Sequence, residues 1–167
     1  MIARETVPPY ALRQLGTACV CMLDTSVVVG VLRRHPHALG LLAWLGSSGA
    51  DPGLSGNGCH GWARGVVPIL SAVVRYEAER GVRSPEGQVR LGALLASTRV
   101  VPLTAADAGA AARIDRALRA AREPIGELDV LIAGAAVARG LPLLTYNVRH
   151  FARVAGLEVW NAGTARG

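Results

Sequence analysis

The sequence predicts a three-layer α/β fold, with a central parallel sheet of four to five strands and helices on both faces. Three observations predict it. Short, continuous apolar runs of the kind found in strands buried on both faces alternate with longer stretches of helical periodicity. The junctions carry Asp, Ser or Thr where helices begin and Gly where they end. The chain has 167 residues, 51% of them hydrophobic, which suits one domain with one core. The aromatic share is only 4%, so Val, Leu, Ile and Ala must do most of the packing.

The elements follow in order. Residues 1–17 hold Pro, Arg and Glu without a period and are expected to form an N-terminal arm. Ala18 to Leu23 reads as the first buried strand, and Asp24-Thr25-Ser26 starts a helix reaching Leu32. Pro36 interrupts, and Leu39, Leu41, Leu42 and Leu45 mark a second helix. Residues 46–65, rich in Gly, Ser, Asp and Asn, read as a surface loop. Val66 to Leu70 is a second strand, and Ser71 opens a helix to about Arg80, closed by Gly81. A helix over Gln88–Ser97 precedes a strand over Arg99–Leu103. Thr104 and Asp107 have the spacing of a capping box, opening a helix to about Arg122. After Pro124 and Gly126, Glu127–Arg139 is helical and Gly140 ends it. Leu141–Thr145 and Leu157–Trp160 complete the strands. Residues 18–163 thus form one domain.

The net charge is +6, carried by 18 arginines and no lysine, and it favours a polyanionic partner. Apolar runs such as Val27 to Leu32 are far shorter than the roughly 20 residues of a membrane span. Glu5 and Pro8-Pro9 fall where a secretory signal needs unbroken apolar residues, so a cytoplasmic protein is expected. Three cysteines, an odd number, argue against a disulfide framework. Cys19, Cys21 and Cys59 are read as apolar packing rather than, with His60, a zinc site. Gly56 to Gly61 spells G-x-G-x-x-G, but without the strand before and helix after that a dinucleotide site requires.

Ligands of parallel sheets bind at the carboxyl ends of the strands, and this rule selects the polar residues that matter. Asp24 ends the first strand. Glu77 lies in the second turn of the helix after strand two, Asp129 in the first turn of the helix before strand four, and Asn147 just past strand four. Singly, each acid has an ordinary explanation: a helix cap, a surface residue, a first-turn carboxylate. Together, set in otherwise apolar segments, they are costly unless paired or metal-bound. Oxygen ligands of this kind suit Mg²⁺ or Mn²⁺. The absence of lysine excludes a P-loop and a phosphoacceptor receiver domain, and Ser26 stands where an Asp-x-Asp phosphatase needs its second carboxylate.

The segments around these acids resemble PIN-domain proteins, and most of all the VapC-type toxins of bacterial toxin–antitoxin pairs. The resemblance rests on Met22-Leu23-Asp24-Thr25-Ser26, on Ser71 through Glu77 to Gly81, and on Pro124 through Asp129 to Ala133. It closes with Leu144-Thr145-Tyr146-Asn147-Val148-Arg149-His150-Phe151 and Gly156-Leu157. It implies a PIN-like fold and Mg²⁺- or Mn²⁺-dependent endonucleolytic cleavage of RNA. It also implies a small cognate antitoxin and a homodimer. Asp24, Glu77 and Asp129 then carry over as metal-binding catalytic acids, and Thr145 as a hydrogen-bonding residue behind them, with Ser26 beside it in the motif. Asn147 occupies a position where many family members have a fourth acid, and can coordinate or hold water without adding charge. Arg75, Arg149 and Arg153 are candidates for gripping the RNA backbone. The competing expectation is a PIN fold that binds RNA or protein without cutting.

Overall fold

The computed structural model describes residues 20–46 and 66–163. Five strands, β1 (Val20–Leu23), β2 (Val67–Ser71), β3 (Arg99–Val101), β4 (Leu143–Thr145) and β5 (Val159–Asn161), form one sheet in the order β3-β2-β1-β4-β5. Every pairing is parallel; Met22 stands opposite both Ile69 and Leu143. Between the strands run α1 (Thr25–Leu32), α2 (Pro36–Gly46), α3 (Ala72–Gly81), α4 (Pro85–Ser97), α5 (Ala105–Ala120), α6 (Glu127–Arg139) and α7 (Val148–Phe151). The chain builds outward from β1 to β3, then returns past β1 to β4. Right-handed crossovers on those two courses place α1–α4 on one face and α5–α6 on the other. All residues of β1 and β4 are buried, as a sheet covered on both sides requires, whereas β5, at the edge, is only partly buried.

Local chemistry sets the helix ends. Asp24, Ser71, Ser84 and Thr104 are N-caps whose side chains accept backbone N–H groups, and Thr104 and Asp107 form the expected capping box. Gly140 ends α6 in the left-handed conformation at φ 62°. Gly134 lets α6 cross α5 closely: a Cβ there would stand 2.6 Å from the Ala111 nitrogen and 2.7 Å from the Asp107 carbonyl oxygen. Asp107, almost fully buried, pairs with Arg139, whose guanidinium also donates to the Ala135 and Pro102 carbonyls.

Several boundaries depart from expectation. Pro36 begins α2 rather than merely separating it from α1, and Pro85 begins α4 three residues early, since a first-turn proline gives up no helical hydrogen bond. Pro102 has no N–H to give a ladder, and β3 ends at Val101. β4 starts at Leu143 rather than Leu141, whose N–H still bonds back to Ala136 at the close of α6. A turn at Gly156, with φ 79°, delays β5 to Val159. The short α7 was not expected; it is anchored by Phe151, the single phenylalanine, fully buried. Cys21 is buried, consistent with apolar packing. The N-terminal arm, the loop beyond Gly46, Cys19, Cys59 and His60 lie outside the described residues. Among the described residues, no helix is long and apolar enough to cross a membrane.

Candidate active site

The strand order reverses between β1 and β4, which opens a crevice at their carboxyl ends. Asp24 stands at this point. Its N–H donates to the Leu144 carbonyl at 3.0 Å, so the end of β1 is fixed to β4 before α1 begins. Its side chain is only 3% exposed, although it is a carboxylate.

One carboxylate oxygen of Asp24 absorbs all of the local donors. Oδ2 accepts from Ser26 Oγ at 2.5 Å, from Thr145 Oγ1 at 2.7 Å and from the Ser26 N–H at 3.3 Å. The two hydroxyls are oriented in turn. Ser26 Oγ accepts the Tyr146 N–H at 3.1 Å, and Thr145 Oγ1 accepts the Asn147 N–H at 2.8 Å. With both hydroxyl protons committed to Asp24, the 3.3 Å approach of Ser26 Oγ to Thr145 Oγ1 is proximity rather than a bond. Among the described residues no arginine or histidine pairs with Asp24, and Oδ1 takes no hydrogen bond.

Glu77, partly buried on α3, accepts a hydrogen bond from Thr25 Oγ1 at 2.5 Å. Thr25 is the first residue of α1, so this bond ties the second acid to the first. Asp129 lies in the first turn of α6, with Gly126 behind it: a Cβ at Gly126 would stand 3.4 Å from Asp129 Oδ2. Burial pushes the Asp129 carboxyl above the usual carboxylate range; a hydrogen bond from His150 opposes this, and the charge of Asp24 adds to it. His150 Nδ1 is 3.3 Å from Asp129 Oδ2. Asn147 starts α7, but its side chain makes no capping bond, which leaves the amide available at the rim.

The fold therefore gathers residues far apart in sequence. Thr145 and Ser26 meet on Asp24, and Asp24 acts electrostatically on Asp129. The oxygen-rich donor set and the like charge of Asp24 and Asp129 suit a hard divalent cation. Among the described residues, no three His, Cys, Asp or Glu side chains are arranged to hold an ion by themselves.

The arginines divide. Arg75 pairs with Glu79 at 2.9 Å, Arg149 is exposed on α7, and Arg153 lines a groove against α5. Two participants were missed by sequence reasoning. Thr25 has the sequence signature of a helix starter and nothing more, yet it bonds Glu77. His150 lies 21 residues from Asp129, and only the seating of α7 brings the two together.

A family model described as the PIN domain matches residues 21–157. The chain is 32% identical over 130 residues to Ribonuclease VapC19 of Mycobacterium tuberculosis, which covers 78% of this chain and 90% of that protein. Its fold is similar to that of VapBC2 from Rickettsia felis bound to a DNA fragment from their promoter, with a TM-score of 0.69, 22% identity, and coverage of 85% of this chain and 98% of that one. FitAcB from Neisseria gonorrhoeae gives a TM-score of 0.65 and 21% identity, covering 87% of this chain and 99% of that one. The chain belongs to the PIN-domain family, in the branch of the VapC ribonucleases.

Proposed function

We propose that this protein is the toxin of a toxin–antitoxin pair, an endoribonuclease that cuts RNA phosphodiester bonds with the help of Mg²⁺ or Mn²⁺. One observation carries the reading: a buried carboxylate, Asp24, stands at the switch point with one oxygen locked by hydroxyls and no cation among the described residues to neutralise it. Burying an uncompensated charge is expensive, and a divalent ion at the rim would offset that cost. The relative named a ribonuclease and the similar folds solved as toxin–antitoxin complexes support the same reading.

Asp24 and Asp129 would hold the ion, with Glu77 acting directly or through a water. When bound, such an ion supplies an activated water and neutralises charge building on the phosphate. Ser26 and Thr145 keep Asp24 in one orientation, so little reorganisation is needed when the ion or RNA arrives. Thr25 does the same for Glu77, and His150 for Asp129. Asn147 offers a neutral amide to a water or a phosphate oxygen. Arg149 on α7 is the backbone-gripping candidate adjacent to the rim; Arg75 pairs with Glu79, and Arg153 lines the groove against α5. Residues 18–163 would form the PIN domain, working in the cytoplasm as a homodimer restrained by a small cognate antitoxin.

The test is to incubate the purified protein with mixed cellular RNA in Mg²⁺, Mn²⁺ or EDTA, beside Asp24→Asn. Cutting that needs the metal and falls at least about 10²–10³-fold in the variant is expected. A folded protein that binds RNA or an antitoxin but never cuts would favour a binding module, a reading to which the missing fourth charge at Asn147 lends weight.

A further inference from the structure

A second polar feature lies beside the carboxylates, on the α1, α3 and α4 side. A cleft of about 230 Å³ runs from Glu77 along the end of α1 to the start of α4. Arg33, Arg83 and Arg90 line it, and Glu77 is its only acid among the described residues. Its apolar wall includes Leu32 and Val82. Glu77 is already engaged by Thr25. Arg90 spends its Nε–H on the Leu32 carbonyl at 2.9 Å, which fixes the guanidinium in place, while its terminal nitrogens make no hydrogen bond among the described residues. Arg33 and Arg83 have no carboxylate partner among the described residues. Among the described residues, three arginines against one engaged carboxylate give the cleft an excess of positive charge beside its apolar wall.

We propose that this cleft is a subsite for the RNA strand flanking the scissile bond, in which Arg33, Arg83 and Arg90 hold backbone phosphates and the apolar wall carries a base or ribose. The assignment rests on the nuclease reading above. It follows from two properties. The charge fits a polyanion, and guanidinium planes serve both phosphates and unstacked bases. The position fits a substrate, because Glu77 lines the cleft and is hydrogen-bonded by Thr25, the residue after Asp24, so the cleft lies next to the switch point. The sequence did not single out these three arginines, since they come from separate elements and meet only in the fold.

The test uses the full chain and a short fluorescein-labelled single-stranded oligoribonucleotide, first in EDTA for binding and then with Mn²⁺ for cutting. The variant is Arg33→Gln/Arg83→Gln, which leaves Arg90 on Leu32. A charge-matched control, Arg113→Gln/Arg116→Gln on α5, removes the same charge elsewhere. The cleft variant is expected to weaken RNA binding about tenfold at low salt and to flatten the log Kd against log salt slope by about 1.4, from two phosphate contacts at roughly 0.7 each. KM should rise by the same factor with kcat little changed, and the control should bind like wild type. Equal losses in both variants would reduce the effect to overall charge and overturn the subsite. So would unchanged RNA binding, including the case in which the cleft variant loses only its affinity for an antitoxin; in both, wild type still cuts and the nuclease reading stands. A wild type that neither binds nor cuts RNA overturns that reading and the subsite with it.

Discussion

Two aspartates are buried almost equally in this molecule, and they are treated in opposite ways. Asp107, 1% exposed, is closed: it pairs with Arg139, accepts the Thr104 N–H at 2.7 Å, and its partner guanidinium is itself satisfied by the Ala135 and Pro102 carbonyls. Asp24, 3% exposed, is left open: its donors are neutral, they converge on one oxygen, and no cation among the described residues faces it. The first arrangement joins the β3–α5 corner to the end of α6 and has nothing left to offer a ligand. The second keeps a negative charge in a poorly solvated place, and Asp129 shares the difficulty. Burial alone therefore does not distinguish the two carboxylates; the counter-charge that one has and the other lacks among the described residues does.

The largest effect expected from this contrast falls on stability. Asp107→Asn should strand a mostly buried guanidinium and lower the unfolding free energy in urea by about 3 kcal/mol, with activity per folded molecule unchanged. Adding Arg139→Met should recover part of that loss. If Asp107→Asn instead abolished cutting in folded protein, the division between the two aspartates would be wrong.

A smaller effect concerns the hydroxyls behind Asp24. Thr145→Val removes a donor to Asp24 and an acceptor for the Asn147 N–H at nearly constant volume. The Mn²⁺ concentration giving half-maximal cutting should rise by about 10–100-fold, with thermal stability falling far less than in Asp107→Asn. An unchanged metal requirement would remove Thr145 from the positioning role.

The smallest effect has the opposite sign. The carboxyl of Asp129 is raised above its unfolded value, chiefly by burial. Its proton is therefore held more tightly in the folded state, and the associated stability is present at low pH and lost as pH rises through the folded value. Asp129→Asn should accordingly raise the melting temperature of metal-free protein by roughly 1–3 °C at neutral pH, with the gain vanishing at acid pH. Saturating Mn²⁺ should cancel the advantage by stabilising only the wild type. A metal-free variant that melts lower than wild type at neutral pH would contradict this sign.

What the sequence could reveal follows from how far each signal reaches along the chain. Glu127–Arg139 was delimited at both ends because its stop signal, Gly140, is local, and Thr104 with Asp107 announced α5 for the same reason. Asp24 and Asp129 stood out because they sit at the start of helices, Asp24 as the N-cap of α1 and Asp129 in the first turn of α6, whereas Glu77 lies in the middle of α3 and only its bond from Thr25 relates it to Asp24. The four-residue α7 was not legible, since one turn shows no period, and β3 and β5 shifted because Pro102 and Gly156 act on the backbone rather than on hydrophobicity. The bonds from Thr25 to Glu77 and from His150 to Asp129, and the Arg139 partner of Asp107, join segments 52, 21 and 32 residues apart. Such pairings depend on how helices dock, which local patterning does not record.

An open Asp24 and a closed Asp107 predict opposite responses to a divalent cation. The most direct measurement is Mn²⁺ binding to the purified protein, followed by the loss of the free-ion electron paramagnetic resonance signal, in wild type, Asp24→Asn and Asp107→Asn. Saturable binding in wild type and in the folded Asp107→Asn protein, lost in Asp24→Asn, is the predicted result. Binding that survives Asp24→Asn unchanged, or that disappears equally in both variants while they remain folded, would contradict it.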